Sequence, residues 1–119
     1  KLEGFHPIKI NFQHFGNEIK LSKNVETVIY RIVQELVNNI IKHANATEAM
    51  VQINSYEDKL FITVEDNGKG FDTTKQKTGI GLKNIASRVA FLNATFEEEH
   101  NTRGTTFTLN IELNKIPNL

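Results

Sequence analysis

Four short stretches of this sequence carry side chains whose types and spacing suit chemistry. At helical spacing Glu35, Asn39, Lys42 and His43 project within about 100° of one another, so one face of a helix would present a carboxylate, an amide, an ammonium and an imidazole. Such a face is often just the solvated side of a helix, but Asn38 and Asn39 are poor helix formers in an interior position and lean toward use. Asp66-Asn67-Gly68-Lys69-Gly70 follows an apolar run: the glycines let backbone turn sharply against a flat ligand, and the aspartate supplies a fixed acceptor. The same pattern also serves ordinary turns. Thr78-Gly79-Ile80-Gly81-Leu82 opens a helical pattern, where unpaired N–H groups and the helix dipole favour an anion such as phosphate, although it also reads as a simple helix entry. The Gly-Lys-Ser/Thr ending of a Walker loop is absent, and Asn84 stands where a dinucleotide fingerprint would have its third glycine. Gly104-Thr105-Thr106 opens the last strand.

The elements that must position these groups follow from periodicity. Ile8, Ile10 and Phe12 alternate with Lys9, Asn11 and Gln13, which predicts a first, half-buried strand. From 25 to 44 the apolar residues Val25, Val28, Ile29, Ile32, Leu36, Ile40, Ile41 and Ala44 recur at helical spacing, with Ser22 or Asn24 as N-cap. Ala49, Val51 and Ile53, a turn at Glu57-Asp58-Lys59, and an apolar run over 60–64 make a hairpin. Residues 66–81 hold four glycines among polar residues, which predicts an exposed loop whose middle, 73–78, has little to bury. A second helix is expected over 81–92, ended by Asn93 in the left-handed conformation. Phe96, then a turn over 101–104, then Phe107, Leu109, Ile111 and Leu113 complete a closing hairpin. Helices interspersed with hairpins predict an α+β fold: a two-layer α/β sandwich with a mixed, largely antiparallel sheet covered on one face by helices.

With 119 residues and 39% hydrophobic content, the chain fits a single domain over 1–119. Fourteen basic residues balance fourteen acidic ones, so there is no global field to attract nucleic acid or an anionic membrane, and any anion site must be local. The absence of cysteine excludes disulfides and thiolate metal sites and is compatible with a reducing cytoplasm. No apolar run approaches the roughly 20 residues of a membrane span. The chain opens on Lys1 and its single methionine is Met50, so it reads as a fragment of a longer protein, and nothing in it reports on a parent's membrane attachment.

Taken in this order, Glu35-x-x-x-Asn39 on a helix, Asp66-x-Gly68-x-Gly70 after a strand, Gly79-x-Gly81 before a helix and Gly104-Thr105-Thr106 opening a strand resemble the GHKL ATPase superfamily over nearly the whole chain. Residues 30–35 and Lys42-His43-Ala44 look like its sensor histidine kinase branch, and Gly81-Leu82-Lys83-Asn84-Ile85 with Arg88 looks like the nitrate-sensor and lipid-fluidity-sensor type of kinase. Where relatives commonly carry a glycine pair after the second helix, this chain has Asn93-Ala94, which affects a helix cap more than chemistry.

The resemblance implies a Bergerat-type ATP-binding fold, with ATP and Mg2+ as ligands. Asp66 would accept a hydrogen bond from the adenine amino group, worth about 1.5–3 kcal/mol, with Gly70 and Thr106 beside the ring and with Gly68 and Thr105 also in the ATP-binding set. Asn39 would be the magnesium ligand, with phosphates and waters filling the other positions. Glu35 would orient a metal-bound water or polarise the attacking group, which makes Glu35, Asn39 and Lys42 the catalytic set. Lys42 and His43 would lie by the phosphates or ribose, and the backbone of Gly79, Ile80, Gly81 and Leu82 would cradle the phosphate tail. The implied reaction is phosphoryl transfer from Mg-ATP to a histidine on an upstream dimerisation domain, through which a response regulator is served. No phosphoacceptor is expected in the chain itself, and His6, His14 and His100 read as surface or strand histidines. A cytoplasmic, monomeric domain without nucleic acid or direct membrane contact is expected. The rival readings are an anti-sigma-factor serine kinase of the same superfamily and a noncatalytic docking module.

Overall fold

The structure is a computed structural model that describes residues 8–44, 46–68, 80–101 and 103–116. Five strands and two helices follow in the order β1 (Lys9–Gly16), α1 (Lys23–Asn39), β2 (Glu48–Tyr56), β3 (Lys59–Asp66), α2 (Ile80–Phe91), β4 (Thr95–Asn101) and β5 (Gly104–Glu112). They form one sheet in the order β1-β2-β3-β5-β4. β1 runs parallel to β2, and the other pairs are antiparallel. The expected mixed, largely antiparallel sheet is therefore present.

Alternation in the central strands explains why, among the described residues, the helices cover only one face. Leu60, Ile62 and Val64 of β3 pair in register with Ile111, Leu109 and Phe107 of β5, and all six are buried. The intervening Phe61, Thr63 and Glu65 are half-buried on the other face, opposite Asn110, Thr108 and Thr106. The buried side joins Val25, Ile29, Ile32 and Leu36 of α1 and Ile85 and Val89 of α2 in one hydrophobic cluster. Phe107 lies at its centre, stacked on Phe96 with ring centroids 5.7 Å apart.

Both helices end by identifiable chemistry. The Ser22 hydroxyl accepts the Val25 N–H at 3.3 Å, which satisfies one of the unpaired donors of the first turn of α1. The α-helical geometry stops at Asn39, short of the expected residue 44, and continues as a π turn over Ile40–Ala44. The wider turn keeps Ile40 in the core at 1% exposure but swings Ile41 out to 51%, against its expected place in the apolar stripe. At the end of α2, Asn93 takes φ +52° as expected. The N–H groups of Asn93 and Ala94 donate to the carbonyls of Ala90 and Val89, a Schellman pair. The Asn93 amide also donates to the Lys115 carbonyl at 2.9 Å, a tie that a glycine could not make.

The first strand departs from its expected pattern. Ile10 is half-buried, but Phe12 is 68% exposed and Phe15 50%. β1 is the sheet's edge and lies at the margin of what α1 can cover, so its alternation reports a face without a full cover.

Candidate functional site

The site is built at the end of β3, where the polar residue of the motif takes a core position. Asp66 is in phase with Val64 and Ile62, so its side chain belongs to the helix-covered face, and it is 8% exposed. Its rung continues across the sheet as Asp66–Thr105–His100, and the next rung on the same face is Val64–Phe107–Glu98. Thr105 is 1% exposed. The His100 Nδ1 lies 3.3 Å from the Thr105 hydroxyl, and its Nε2 lies 3.1 Å from Glu98.

One oxygen of Asp66 is satisfied and the other is not. Oδ1 accepts the Gly68 N–H at 2.7 Å, the Asx turn that the Asp-x-Gly spacing allows. Oδ2 is buried and has no hydrogen-bond partner among the described residues. Burial pushes the carboxyl above the ordinary carboxylate range, and the N–H groups of Gly68 and Thr105 together with the charge of His100 only partly offset it. A buried acceptor without a donor is costly, and it suits a ligand that brings an N–H of its own.

The turn after Asp66 is held from two sides. Asn67 Oδ1 accepts the N–H groups of Thr47 and Glu48, each at 3.0 Å, and its Nδ2 donates to the Thr47 hydroxyl at 3.1 Å. Its own N–H donates to the Glu48 carbonyl at 3.1 Å. On the other side Gly104 sits at φ +142°, where an added Cβ would come within 1.9 Å of the Asp66 carbonyl oxygen. Only glycine allows that approach.

The remaining expected residues are distributed as follows. Glu35 and Asn39 are half-buried on the last two turns of α1, and Lys42 is exposed in the π turn that follows. His43 lies in the same turn, with its side chain outside the described residues. Ile80, Gly81 and Leu82 form the first turn of α2 by their backbone, where helical N–H groups lack intrahelical acceptors. Gly70, Gly79 and the middle of the expected loop, 73–78, lie outside the described residues. Thr106 is turned to the uncovered face beside Glu65, so it is Thr105, not Thr106, that shares the side of Asp66. Strand alternation is the cause.

An open cleft of about 570 Å³ at this end of the sheet is lined by Asn11, Met50, Glu65, Arg103 and Thr106 among others. Asp66, Asn67 and Gly104 line the same cleft, although the phase of β3 sets the Asp66 side chain toward the helix-covered face. Neither Glu35 nor Asn39 lines it. Those residues contain no cluster of three or more metal-binding side chains and no helix long and apolar enough to cross a membrane.

Sequence reasoning gives Asn67 no role of its own and reads His100 as a surface or strand histidine. His100 was within reach: the turn over 101–104 sets Asn101 opposite Gly104, and counting back one residue places His100 opposite Thr105.

Residues 24–115 match the family model described as histidine kinase-, DNA gyrase B-, and HSP90-like ATPase. The chain is 38% identical over 86 residues to the signal transduction histidine-protein kinase/phosphatase DegS of Brevibacillus brevis, covering 71% of this chain and 22% of DegS. It is 35% identical over 91 residues to the sensor protein VraS of Staphylococcus aureus (strain COL), covering 76% of this chain and 26% of VraS. It thus spans about a quarter of the length of these relatives. The Erythrobacter litoralis EL346 blue-light activated histidine kinase shares the fold, with a TM-score of 0.76 at 24% identity over 91% of this chain and 36% of that one. With the family model matched from the N-terminal turn of α1 to the end of the sheet, and with Asp66 and Gly68 set at a strand end as the motif requires, the chain belongs to the histidine kinase-, DNA gyrase B- and HSP90-like ATPase family.

Proposed function

We propose that the chain binds Mg-ATP and presents its γ-phosphoryl group to a histidine on a separate dimerisation domain, as the catalytic part of a two-component sensor kinase. The observation that carries this reading is the buried, unpartnered Oδ2 of Asp66, an acceptor aimed at the helix side of the sheet in a chain of this family. The adenine amino group supplies the missing donor, and guanine, which has a carbonyl there, does not. Thr105 backs the carboxylate, and Gly68 holds its other oxygen.

The phosphate end falls to α1 and α2. Lys42 and His43 in the π turn, with the first-turn N–H groups at Ile80, Gly81 and Leu82, would face the polyphosphate, assisted by Gly79. Magnesium would neutralise phosphate charge and take the Asn39 amide oxygen, its other positions being phosphate and water. Glu35, one turn before Asn39, would orient a metal-bound water or the acceptor. Catalysis is then mostly positioning and charge neutralisation. The reading carries a cytoplasmic setting and a response regulator reached through the dimerisation domain.

The test mixes the chain with its upstream helical domain and ATP labelled in the γ position. The expected product is a labelled histidine on the partner, acid-labile and base-stable, which Asn39→Ala abolishes. Acid-stable label on a hydroxyl, or no label with wild-type chain and intact partner, would overturn the reading.

A further inference from the structure

We propose that Asn67 is a positioning residue for the nucleotide site, tying the turn that carries Asp66 to the segment that leaves the π turn of α1. This rests on the adenine-reading role proposed for Asp66. The argument is geometric. Asp66 closes β3, while Asn39 closes α1, and the π turn over Ile40–Ala44 leads into Thr47 and β2. Asn67 is the residue next to Asp66, and it makes four hydrogen bonds to Thr47 and Glu48, all between 3.0 and 3.1 Å.

Two of these bonds go from the backbone N–H groups of Thr47 and Glu48 to one amide oxygen, which fixes the start of β2 as well as the end of β3. The side chain is solvent-exposed, so burial does not explain its presence. Gly104 presses on the same turn from the opposite side, its missing Cβ only 3.2 Å from the Asn67 Cα. The turn is therefore pinned between β2 and β5. Through this tie the carboxylate that would read the base and the side chains that would meet the phosphates keep a fixed separation, which a ligand of fixed length requires.

The residue chemistry makes the claim specific. Asparagine offers an acceptor for two N–H groups and a donor for the Thr47 hydroxyl. Aspartate keeps the double acceptor, and the hydroxyl can reverse to donate to its second oxygen, so Asn67→Asp preserves the tie. Asn67→Ala removes the three side-chain bonds, and Thr47→Val removes only the hydroxyl partner.

The experiment is isothermal titration of the chain with MgATP and MgGTP, with thermal unfolding of each variant alongside. Asn67→Ala should weaken ATP binding about tenfold and narrow the preference for ATP over GTP. Asn67→Asp should recover ATP affinity to within about threefold, the added charge beside Asp66 and Glu48 accounting for the deficit. Thr47→Val should weaken it about threefold. A purely structural role would lower the unfolding temperature and leave the ATP-to-GTP ratio untouched, which overturns the proposal. So does an Asn67→Asp variant no better than Asn67→Ala. If Asn67→Ala does not fold, Thr47→Val decides, and wild-type affinity in that variant overturns the proposal. Asp66→Asn separates the two levels of inference: if it loses ATP while Asn67→Ala binds normally, only the positioning role fails. If Asp66→Asn binds ATP as wild type does, the adenine-reading role fails and this proposal falls with it.

Discussion

Asp66→Asn should make the unliganded domain more stable while making it a poorer ATP binder. The substitution keeps an oxygen for the Gly68 N–H, now at 2.7 Å from Oδ1, and replaces the unpartnered, buried Oδ2 with an uncharged amide nitrogen. An unmade hydrogen bond at a buried group costs about 1–3 kcal/mol, more when the group is charged. The amide retains part of that cost, so a net gain of about 1 kcal/mol is expected at neutral pH, or about 4 °C in Tm for a domain of this size. The pH dependence fixes the sign. The folded-state pKa of Asp66 is raised, so its contribution to stability is fully present below the unfolded value and is lost as pH rises through the folded one. The advantage of Asp66→Asn should therefore be present at pH 7 and vanish under acid conditions. For the ligand the sign reverses: an NH2 donor would meet the adenine NH2 donor, forfeiting about 1.5–3 kcal/mol, or about ten- to 150-fold in Kd. Scanning calorimetry of the unliganded chain and isothermal titration with MgATP measure the two effects separately. An unchanged or lowered Tm at pH 7, together with a Kd within threefold of wild type, would refute the reasoning.

Three further outcomes follow from the fold. Gly104→Ala should lose about 2–4 kcal/mol in urea unfolding, since its Cβ would lie 1.9 Å from the Asp66 carbonyl oxygen at φ +142°; a loss under about 0.5 kcal/mol would contradict the close approach. Ser22→Ala should cost about 1 kcal/mol by removing the cap of α1 while leaving ATP affinity unchanged, as both measurements on one preparation would show. Asn93→Ala should cost about 1–2 kcal/mol, because alanine resists φ +52° and drops the bond to Lys115; Asn93→Gly, which tolerates that φ, should recover part of the loss on the same urea curve.

Much of this architecture could be read from one side chain to the next. The spacing of Val25, Ile29, Ile32 and Leu36 located α1, and the apolar run over 60–64 located β3, because both elements bury a complete face. Asn93 could be assigned its left-handed cap because few residues tolerate that conformation. The failures share a physical origin in tertiary context. Phe12 alternates like a buried strand residue but lies on an edge that α1 does not fully cover. Ile41 keeps the helical spacing but is turned out by an extra residue in the π turn, which no local propensity announces. Within the site, the strand-end aspartate was legible from its motif, whereas the choice between Thr105 and Thr106 depended on the phase of β5 relative to β3. Asn67 was hidden because its partners lie across the sheet at Thr47 and Glu48, a long way off in sequence.

The two borders of the sheet are guarded unequally. β4 ends its ladder with Glu97, Glu98 and Glu99 in succession, all exposed, so a foreign strand approaching that border meets carboxylates on both faces. β1 presents Phe12 and Phe15 to solvent on the opposite border, with no carboxylate between Lys9 and Gly16. Self-association at high concentration should therefore begin on the aromatic border, and lysine at position 12 or 15 should improve solubility where the same change on β4 would not.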